Sequence, residues 1–451
     1  MAERQLVLDN GSGHIKIGFA DWETPKSVPN LMCKDRRGRT CYISSQLYDA
    51  PDCSNLSYRR PFEKGYFVDP ATECDIWKYV LGAELGLTTD DLRSTQLLLT
   101  APYFTPRKLQ REYNELVFEY FEFQELACVS PAFLTMVTHF ARRRAVPCAE
   151  WPFAHAAPDA GPKGAKRKRE EVKLEEAAPP VEPPPPVPTH HPCTCIVVDA
   201  GYSFSHVVPF VGGRAVKSAV KRVPMGSKVM VNHMKGILSF RQFDMTDEDW
   251  LVGTLLHKLC FVSTDFERDM RICSGHWTKN HIRARYMLPS GQPGSPPLGE
   301  VVADGIQLTA ADQVLMLNSE RFSVPELLFH PSDVGFPHMG LAEAVVASIT
   351  TPDIHPDLRP LLLDNVVLAG GCSMFPGFEA RMQAELTALC NDDLSQARCV
   401  RDADSHFSAF NGGCDVFRSG SYSALSVSRQ QYNEGEGGKT LCRSRIWGDF
   451  P

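Results

Sequence analysis

Two stretches, CIVVDAGYSFSHVVP at residues 195–209 and LVLDNGSGHIKIGF at residues 6–19, follow the same plan. Each begins as a short apolar run, reaches an aspartate, breaks at a glycine-bearing turn and resumes as a second strand. The pattern predicts two β-hairpins, each with a carboxylate, Asp9 or Asp199, at the end of its first strand. These hairpins are therefore the expected centre of the fold.

The composition of the two turns suggests a ligand. Turns rich in Gly and Ser can bring several backbone N–H groups to one anion, and a neighbouring carboxylate can hold a hydrated cation. Two such hairpins that face each other would clamp a metal-bound polyphosphate. The alternative is that each is an ordinary tight hairpin, in which the aspartate hydrogen-bonds its own turn.

A third segment, DNVVLAGGCSMFPG at residues 364–377, predicts a strand, a glycine turn and then a helix over 378–389. A double glycine before a helix lets a ligand approach the backbone closely, and the helix dipole favours an anion. A Gly-Gly turn is also common in ordinary α/β connections, so this segment alone does not define a site.

Length and composition restrict the class of protein. A chain of 451 residues exceeds the usual size of a single core, so at least two lobes are expected. The net charge of −7 gives no basic field that would draw the whole body to nucleic acid. No signal peptide and no long apolar run is apparent, so we expect no membrane span. The fifteen cysteines form no compact framework, which favours buried, reduced thiols inside the cell.

Strand-like and helix-like segments alternate along the chain. Helical periodicity predicts helices over 69–82, 106–121, 132–140 and 247–261, and another that follows residues 222–228 and ends near 236. An apolar run predicts a strand over 96–100. Such alternation is typical of an α/β fold.

The composition changes abruptly at residues 142–192. This stretch contains the basic run KRKR at residues 166–169 and ends in a proline-rich segment. It holds too few apolar residues to offset the entropy of ordering it, so we predict a disordered insert. The basic run is a nuclear localisation signal, an arm that contacts DNA, or simply a charged stretch of a linker.

With the three segments in this order, the sequence closely resembles actin and the actin-related proteins. The most specific matches are DNGSG at residues 9–13, KLCFV at 258–262 and AGGCSMFPG at 369–377. Within the family, RPFEKGY at residues 60–66 and RFSVPELLFHPSD at 321–333 resemble the sixth class of actin-related proteins.

The resemblance implies an α/β, actin-like ATPase fold, a duplicated ribonuclease-H-like architecture with two lobes around a nucleotide cleft. Residues 1–141 would form the first lobe, completed by about 390–451, and residues 193–389 the second lobe. The cleft would bind ATP with Mg²⁺. Asp9 and Asp199 would hold the metal through water. The residues that the resemblance implies for the nucleotide are Asp9, Gly11, Ser12, Gly13, Lys16, Asp199, Gly201, Ser203, Gly226, Gly370, Gly371, Cys372 and Met374.

Several departures from the actin pattern argue against catalysis. Pro131 falls where actin has the glutamine that positions the attacking water, and Tyr202 falls where the second hairpin carries another aspartate. His206 alone remains of the groups that organise water. Leu256 and His257 replace two residues that contact adenosine. We therefore expect no enzymatic activity, and no catalytic residue is assigned.

The class resemblance implies a non-filamentous subunit of a nuclear Swr-type chromatin remodeller, which exchanges histone H2A for its Z variant. Its expected partners are the remodeller ATPase and a zinc-finger-bearing subunit, with nucleosome contact through the complex. The expected location is the nucleus, with the cytoplasm as an alternative. The residues between Pro29 and Arg60 contain no recognisable counterpart of the filament loop of actin, so self-polymerisation is not expected. The alternatives are a weak ATPase or phosphotransferase and a cytoskeletal actin-like protein.

Overall fold

Two sheets with the same local arrangement lie at the centre of the computed structural model. It describes residues 4–442 except 37, 39, 51–52, 54–55, 144–192, 291–295, 304, 310–311 and 391–396. The predicted insert and its basic run therefore lie almost entirely outside the described residues.

The strands in the described part are β1 (Arg4–Asn10), β2 (His14–Phe19), β3 (Lys26–Pro29), β4 (Met32–Asp35), β5 (Cys41–Ile43), β6 (Leu56–Arg59), β7 (Phe62–Glu63), β8 (Tyr66–Phe67), β9 (Thr95–Thr100), β10 (Glu125–Val129), β11 (Cys195–Ala200), β12 (Ser205–Val211), β13 (Arg214–Ala215), β14 (Lys221–Val223), β15 (Ala284–Met287), β16 (Glu300–Val301), β17 (Val314–Leu317), β18 (Val366–Ala369), β19 (Cys399–Arg401) and β20 (Val427–Ser428).

The α-helices there are α1 (Pro70–Tyr79), α2 (Thr89–Leu92), α3 (Arg107–Glu115), α4 (Pro131–Arg142), α5 (Ser227–Arg241), α6 (Asp249–Leu259), α7 (Phe266–Ser274), α8 (Glu320–Ser323), α9 (Leu341–Ile349), α10 (Arg359–Leu363), α11 (Phe378–Leu389), α12 (Ser408–Arg418), α13 (Tyr422–Leu425), α14 (Arg429–Tyr432) and α15 (Glu436–Leu441).

The first sheet has the order β20-β10-β9-β1-β2-β3, and the second has β13-β12-β11-β18-β19 with β14 also paired to β12. In each, the first hairpin strand is antiparallel to its hairpin partner and parallel to a later strand: β1 lies between β2 and β9, and β11 between β12 and β18. We call the first sheet, with the elements that adjoin it in the chain, the first lobe. The second sheet and its adjoining elements form the second lobe. The expected α/β architecture is confirmed, with the hairpin arrangement repeated in two sheets.

Helix α4, which follows β10 of the first sheet, also packs against the second sheet. Ser130 caps its N-terminus by accepting a hydrogen bond from the Phe133 N–H at 3.1 Å, and Pro131 occupies its first turn. The helix packs against α12 and against β11 and β18. α12 can come this close because residue 412 is glycine: a Cβ there would lie 2.0 Å from the Leu134 carbonyl oxygen.

Strand β19 pairs with β18, so the second sheet includes residues 399–401, and α12 then packs against β1 of the first sheet. One helix follows its prediction only in part. Helix α5 continues to Arg241 instead of stopping near Gly236, because Met230, Met234 and Leu238 continue one buried face.

The described part of the chain contains no helix with the length and apolarity needed to span a membrane. Its cysteines are free thiols, and most of them are buried, as predicted.

Candidate functional site

A cavity of about 680 Å³, which we call the cleft, lies between the two hairpins. Eleven of the thirteen predicted residues line it. These are Asp9, Gly11, Ser12, Gly13, Lys16, Asp199, Gly201, Ser203, Gly370, Gly371 and Met374. The tertiary structure thus brings together segments that are separated by more than 150 residues in the chain.

The other two predicted residues, Gly226 and Cys372, support the second hairpin from behind. The Cys372 thiol donates to the Gly201 carbonyl oxygen at 3.2 Å. A Cβ at position 226 would lie 2.5 Å from the Tyr202 carbonyl oxygen, so only glycine fits there. Their contribution is to hold the turn and not to line the cleft.

In the first hairpin, the Asp9 carboxylate has two strong partners. Lys16, opposite Asp9 in the β1–β2 register, donates to Oδ2 at 2.8 Å, and the Thr100 hydroxyl donates to Oδ1 at 2.8 Å. Burial disfavours the charged form of Lys16, but Asp9, through its charge and its hydrogen bond, and then Asp199 together outweigh burial, so the pKa of Lys16 is raised. The bonds to Asp9 come from neighbouring strands, so the alternative of an aspartate bonded to its own turn does not hold here.

In the second hairpin, the Asp199 carboxylate has no hydrogen bond or ion pair within the described residues. Burial, and secondarily the negative charge of Asp9, raises the pKa of Asp199 to about 6. Both carboxylates belong to residues that line the same cleft. Asp199 is therefore the acidic group whose charge is least compensated there.

The two hairpins also contact each other. The hydroxyls of Ser12 and Ser203 are 2.8 Å apart and share a hydrogen bond. The Tyr202 ring packs against Gly13, where a Cβ would lie 2.8 Å from the ring. Glycine at position 13 thus lets the Tyr202 side chain of the second turn pack against the backbone of the first turn.

The donor set of the cleft fits a metal-bound polyphosphate better than a metal held by protein alone. Among the described residues, no cluster of three or more His, Cys, Asp or Glu could ligate a metal ion. Mg²⁺, however, is commonly held by one or two carboxylates, water and substrate phosphates. Asp9 and Asp199 match the carboxylates of that arrangement, and Lys16 supplies a cation beside them.

Two residues that depart from the actin pattern, Pro131 and Tyr202, line the cleft, and so does His206, which the pattern retains. His206, 4% exposed, packs against Phe204 with ring centroids 4.5 Å apart. Burial, and then the charge of Arg222, lowers the pKa of His206 to about 3, so its imidazole is neutral at pH 7.

Of the two residues that replace adenosine contacts, only His257 reaches the cleft. Its ring lies parallel to that of Phe375, with centroids 5.9 Å apart and an interplanar angle of 10°. Leu256 is fully buried in the core of the second lobe. Of the two substitutions, only the one at His257 therefore places a side chain where a ligand in the cleft would contact it.

Sequence reasoning missed several cleft residues, among them His14, Arg60 and Trp250. A signal existed for two of them. His14 is two residues before Lys16 on β2 and so points to the same face. Trp250 precedes His257 by seven residues on α6, which places both on one helical face. Nothing local marked Arg60, which reaches the cleft only through the fold.

Comparisons with known proteins agree with this geometry. The actin family model matches residues 2–446. The actin-related protein 6 of Oryza sativa subsp. japonica is 29% identical over 473 residues, with 98% of both chains covered. The actin-like protein ARP6 of Cryptococcus neoformans is 31% identical over 468 residues, with 99% of this chain and 84% of that protein covered. The actin-related protein 6 of Drosophila melanogaster is 28% identical over 437 residues, with 96% and 98% covered.

A family match over nearly the whole length, and the presence of both hairpins around one cleft, lead to the same conclusion: the chain belongs to the actin family and is an actin-related protein of the class of actin-related protein 6.

Proposed function

We propose that this protein is a non-filamentous structural subunit of a nuclear, Swr-type ATP-dependent chromatin-remodelling complex. Such a complex exchanges histone H2A for its Z variant and thereby regulates transcription. The observation that carries the proposal is the composition of the cleft: Asp9, Lys16 and Asp199 remain, while Pro131 and Tyr202 stand where groups needed for hydrolysis are expected. The similarity to actin-related protein 6 supports the assignment to this class.

The chemistry of phosphoryl transfer explains why we expect no turnover. Hydrolysis requires a positioned water and compensation of the charge that develops on the phosphate. The Pro131 side chain can neither donate nor accept a hydrogen bond. Tyr202 is engaged with Gly13 and Arg60, and His206 is neutral in an aromatic environment. This cleft is therefore better suited to holding a nucleotide than to cleaving it.

ATP with Mg²⁺ is the ligand we propose for the cleft, in a structural role. Asp9 and Asp199 would hold the hydrated metal, whose charge offsets that of the phosphates. Ser12, Gly13 and Lys16 would meet the phosphates from the first hairpin. Gly201 and Ser203 would meet them from the second, and Gly370, Gly371 and Met374 would border the nucleoside.

The proposed partners are the remodeller ATPase subunit and a zinc-finger-bearing subunit of the same complex. The protein body would be a clamp-like scaffold that holds an insertion of the remodeller ATPase and the zinc-finger-bearing subunit, and contact with the nucleosome would pass through the assembly. The basic run at residues 166–169 agrees with a nuclear location.

A pull-down of the tagged full-length chain from nuclear extract, analysed by mass spectrometry, tests the proposal. We expect a remodeller ATPase and a zinc-finger protein to be recovered in stoichiometric amounts. The same purified chain should release no phosphate from ATP above background, and it should stay in the supernatant under conditions in which actin filaments sediment. Recovery of cytoskeletal proteins alone would contradict the proposal.

A weak ATPase or phosphotransferase is the second candidate, since the two carboxylates and Lys16 are retained around one cavity. Steady phosphate release that is abolished by Asp199→Asn would favour it. Sedimentation as filaments would instead favour a cytoskeletal role.

A further inference from the structure

Five half-buried side chains at the cleft form two groups of contacts between the lobes, and we call the five together the clasp. They are Arg60, Tyr66, Tyr202, Phe204 and Arg222. Arg60 and Tyr66 belong to the first lobe, whereas Tyr202, Phe204 and Arg222 belong to the second. Each contact of the clasp therefore either joins the two lobes or holds in place a residue that joins them.

Arg60 forms one half of the clasp. Its guanidinium lies over the Tyr202 ring, with its central carbon 4.7 Å from the centroid. Its Nη1 lies 3.5 Å from the Gly13 carbonyl oxygen and 3.4 Å from that of Asn30, to which it donates. An arginine held by backbone oxygens presents a fixed face, and a cation over a tyrosine ring is attractive, more so when water is excluded. Arg60 thus attaches the first hairpin turn to the second.

Arg222 forms the other half. Its guanidinium carbon lies 4.5 Å from the ring centroids of both Tyr66 and Phe204. It donates to the Tyr66 hydroxyl at 2.5 Å and also to the Lys64 carbonyl oxygen. The second-lobe arginine is therefore inserted between an aromatic ring of each lobe.

Gly65 makes this packing possible. Its φ is +77°, and a Cβ built there would lie 1.8 Å from Phe204. Any other residue would force the Phe204 ring out of the contact. The GY pair at residues 65–66 thus has a steric purpose that the sequence alone did not reveal.

A second set of contacts between the lobes also lies at the cleft. Trp250 of the second lobe lies 5.9 Å from Tyr48 and 6.0 Å from His14, ring centroid to ring centroid. Trp250 and Leu298 pack onto the small apolar cluster around the β4–β6 sheet of the first lobe. Arg36 and Asp247 add an ion pair at 2.6 Å, although both are well exposed.

We propose that contacts within the protein, those of the clasp foremost, hold the two lobes closed over the cleft, so that closure does not depend on bound nucleotide. A ligand shifts a two-state equilibrium only by its difference in affinity for the two states. Where protein contacts already favour the closed state, nucleotide adds little to closure. This inference does not rest on the proposed chromatin function.

The test compares small-angle X-ray scattering and amide hydrogen exchange of the full chain after treatment with apyrase and EDTA, and again with ATP and Mg²⁺. We expect the wild-type radius of gyration to be the same in both conditions. The variant Arg60→Ala/Arg222→Ala should have a larger radius without nucleotide, with exchange at residues 61–67 and 201–206 faster by roughly tenfold. Arg59→Ala is the matched control, because Arg59 pairs with Asp69 inside the first lobe. It should behave as wild type.

A second pair of variants guards against misfolding of the double variant. Tyr202→Phe keeps the ring under Arg60 and should remain closed, whereas Tyr202→Ala should open, with circular dichroism confirming that both are folded. The proposal is overturned if Tyr202→Ala and the double variant scatter and exchange as wild type does. It is equally overturned if the wild-type protein contracts when ATP and Mg²⁺ are added.

Discussion

The two hairpins have the same backbone arrangement, but their aspartates have different electrostatic surroundings. Asp9 and Asp199 each end the first strand of a hairpin that is flanked by a parallel strand. Asp9 is compensated by Lys16 and Thr100, whereas Asp199 carries a raised pKa because burial and Asp9 both disfavour its charge. A repeated motif therefore fixes where a carboxylate lies but not what its charge contributes to stability.

Removing the lysine that pairs with Asp9 in the first hairpin should lower the free energy of unfolding the most. Lys16→Ala leaves the Asp9 carboxylate buried with one partner fewer, and we expect the free energy of unfolding to fall by about 3 kcal/mol. Urea denaturation followed by circular dichroism measures it. Lys34→Ala, on an exposed position of β4, is the control and should change the free energy of unfolding little. Equal effects of the two substitutions would mean that Thr100 alone suffices for Asp9.

The backbone behind the second hairpin gives the next largest effect. Gly370 has a φ of +84°, and a Cβ there would lie 2.3 Å from the Ala200 carbonyl oxygen and 2.7 Å from Asp199 Oδ1. We expect Gly370→Ala to lower the free energy of unfolding by about 2 kcal/mol, from left-handed strain and the displaced carbonyl.

Gly371→Ala is the adjacent control for that substitution, because a Cβ at residue 371 would have open space around it. Its free energy of unfolding, measured in the same urea titration, should stay close to that of the wild type. A loss as large as that of Gly370→Ala would show that sterics at the second hairpin are not the cause.

Neutralising Asp199 should have the opposite sign from changing Lys16. The folded-state pKa of Asp199 is about 6, above the ordinary 3.8, so the folded protein binds a proton that the unfolded chain releases between these values. Stability from this group therefore falls as pH rises from about 4 to about 6. We expect Asp199→Asn to be more stable than the wild type at pH 7, and about as stable as the wild type near pH 4.

Urea titrations across this pH range measure the effect of Asp199→Asn. The exposed Asp75→Asn serves as its control, and its difference from wild type should not depend on pH in this way. A variant less stable than wild type at every pH would show that contacts of the Asp199 carboxylate outweigh its burial.

The smallest effect concerns the contact that joins the hairpins. The Ser12 and Ser203 hydroxyls are 2.8 Å apart, and a net hydrogen bond of this kind is worth about 0.5–1 kcal/mol. A double-mutant cycle with Ser12→Ala, Ser203→Ala and both together should return a coupling energy of that size. Strict additivity would indicate that the two turns are energetically independent.

Local elements were predicted well where their cause is local. The helix predicted over 378–389 is α11, and the helix predicted over 69–82 begins at Pro70, capped by Asp69. The end of α5 was predicted wrongly, because Gly236 resembles a helix terminator although the buried face continues beyond it. Helix ends depend on what the next turn packs against, which a single sequence does not state.

The sequence by itself determined the two hairpins, their aspartates, the glycine turns and the resemblance to actin, since two-residue alternation and turn chemistry are properties of neighbouring residues. Only the tertiary structure decided that the Asp9 carboxylate is paired with a lysine whereas that of Asp199 is not. It also decided that Arg60 and Arg222 contact the other lobe. Such interactions depend on distances between segments far apart in the chain, and on how much water the fold leaves between them.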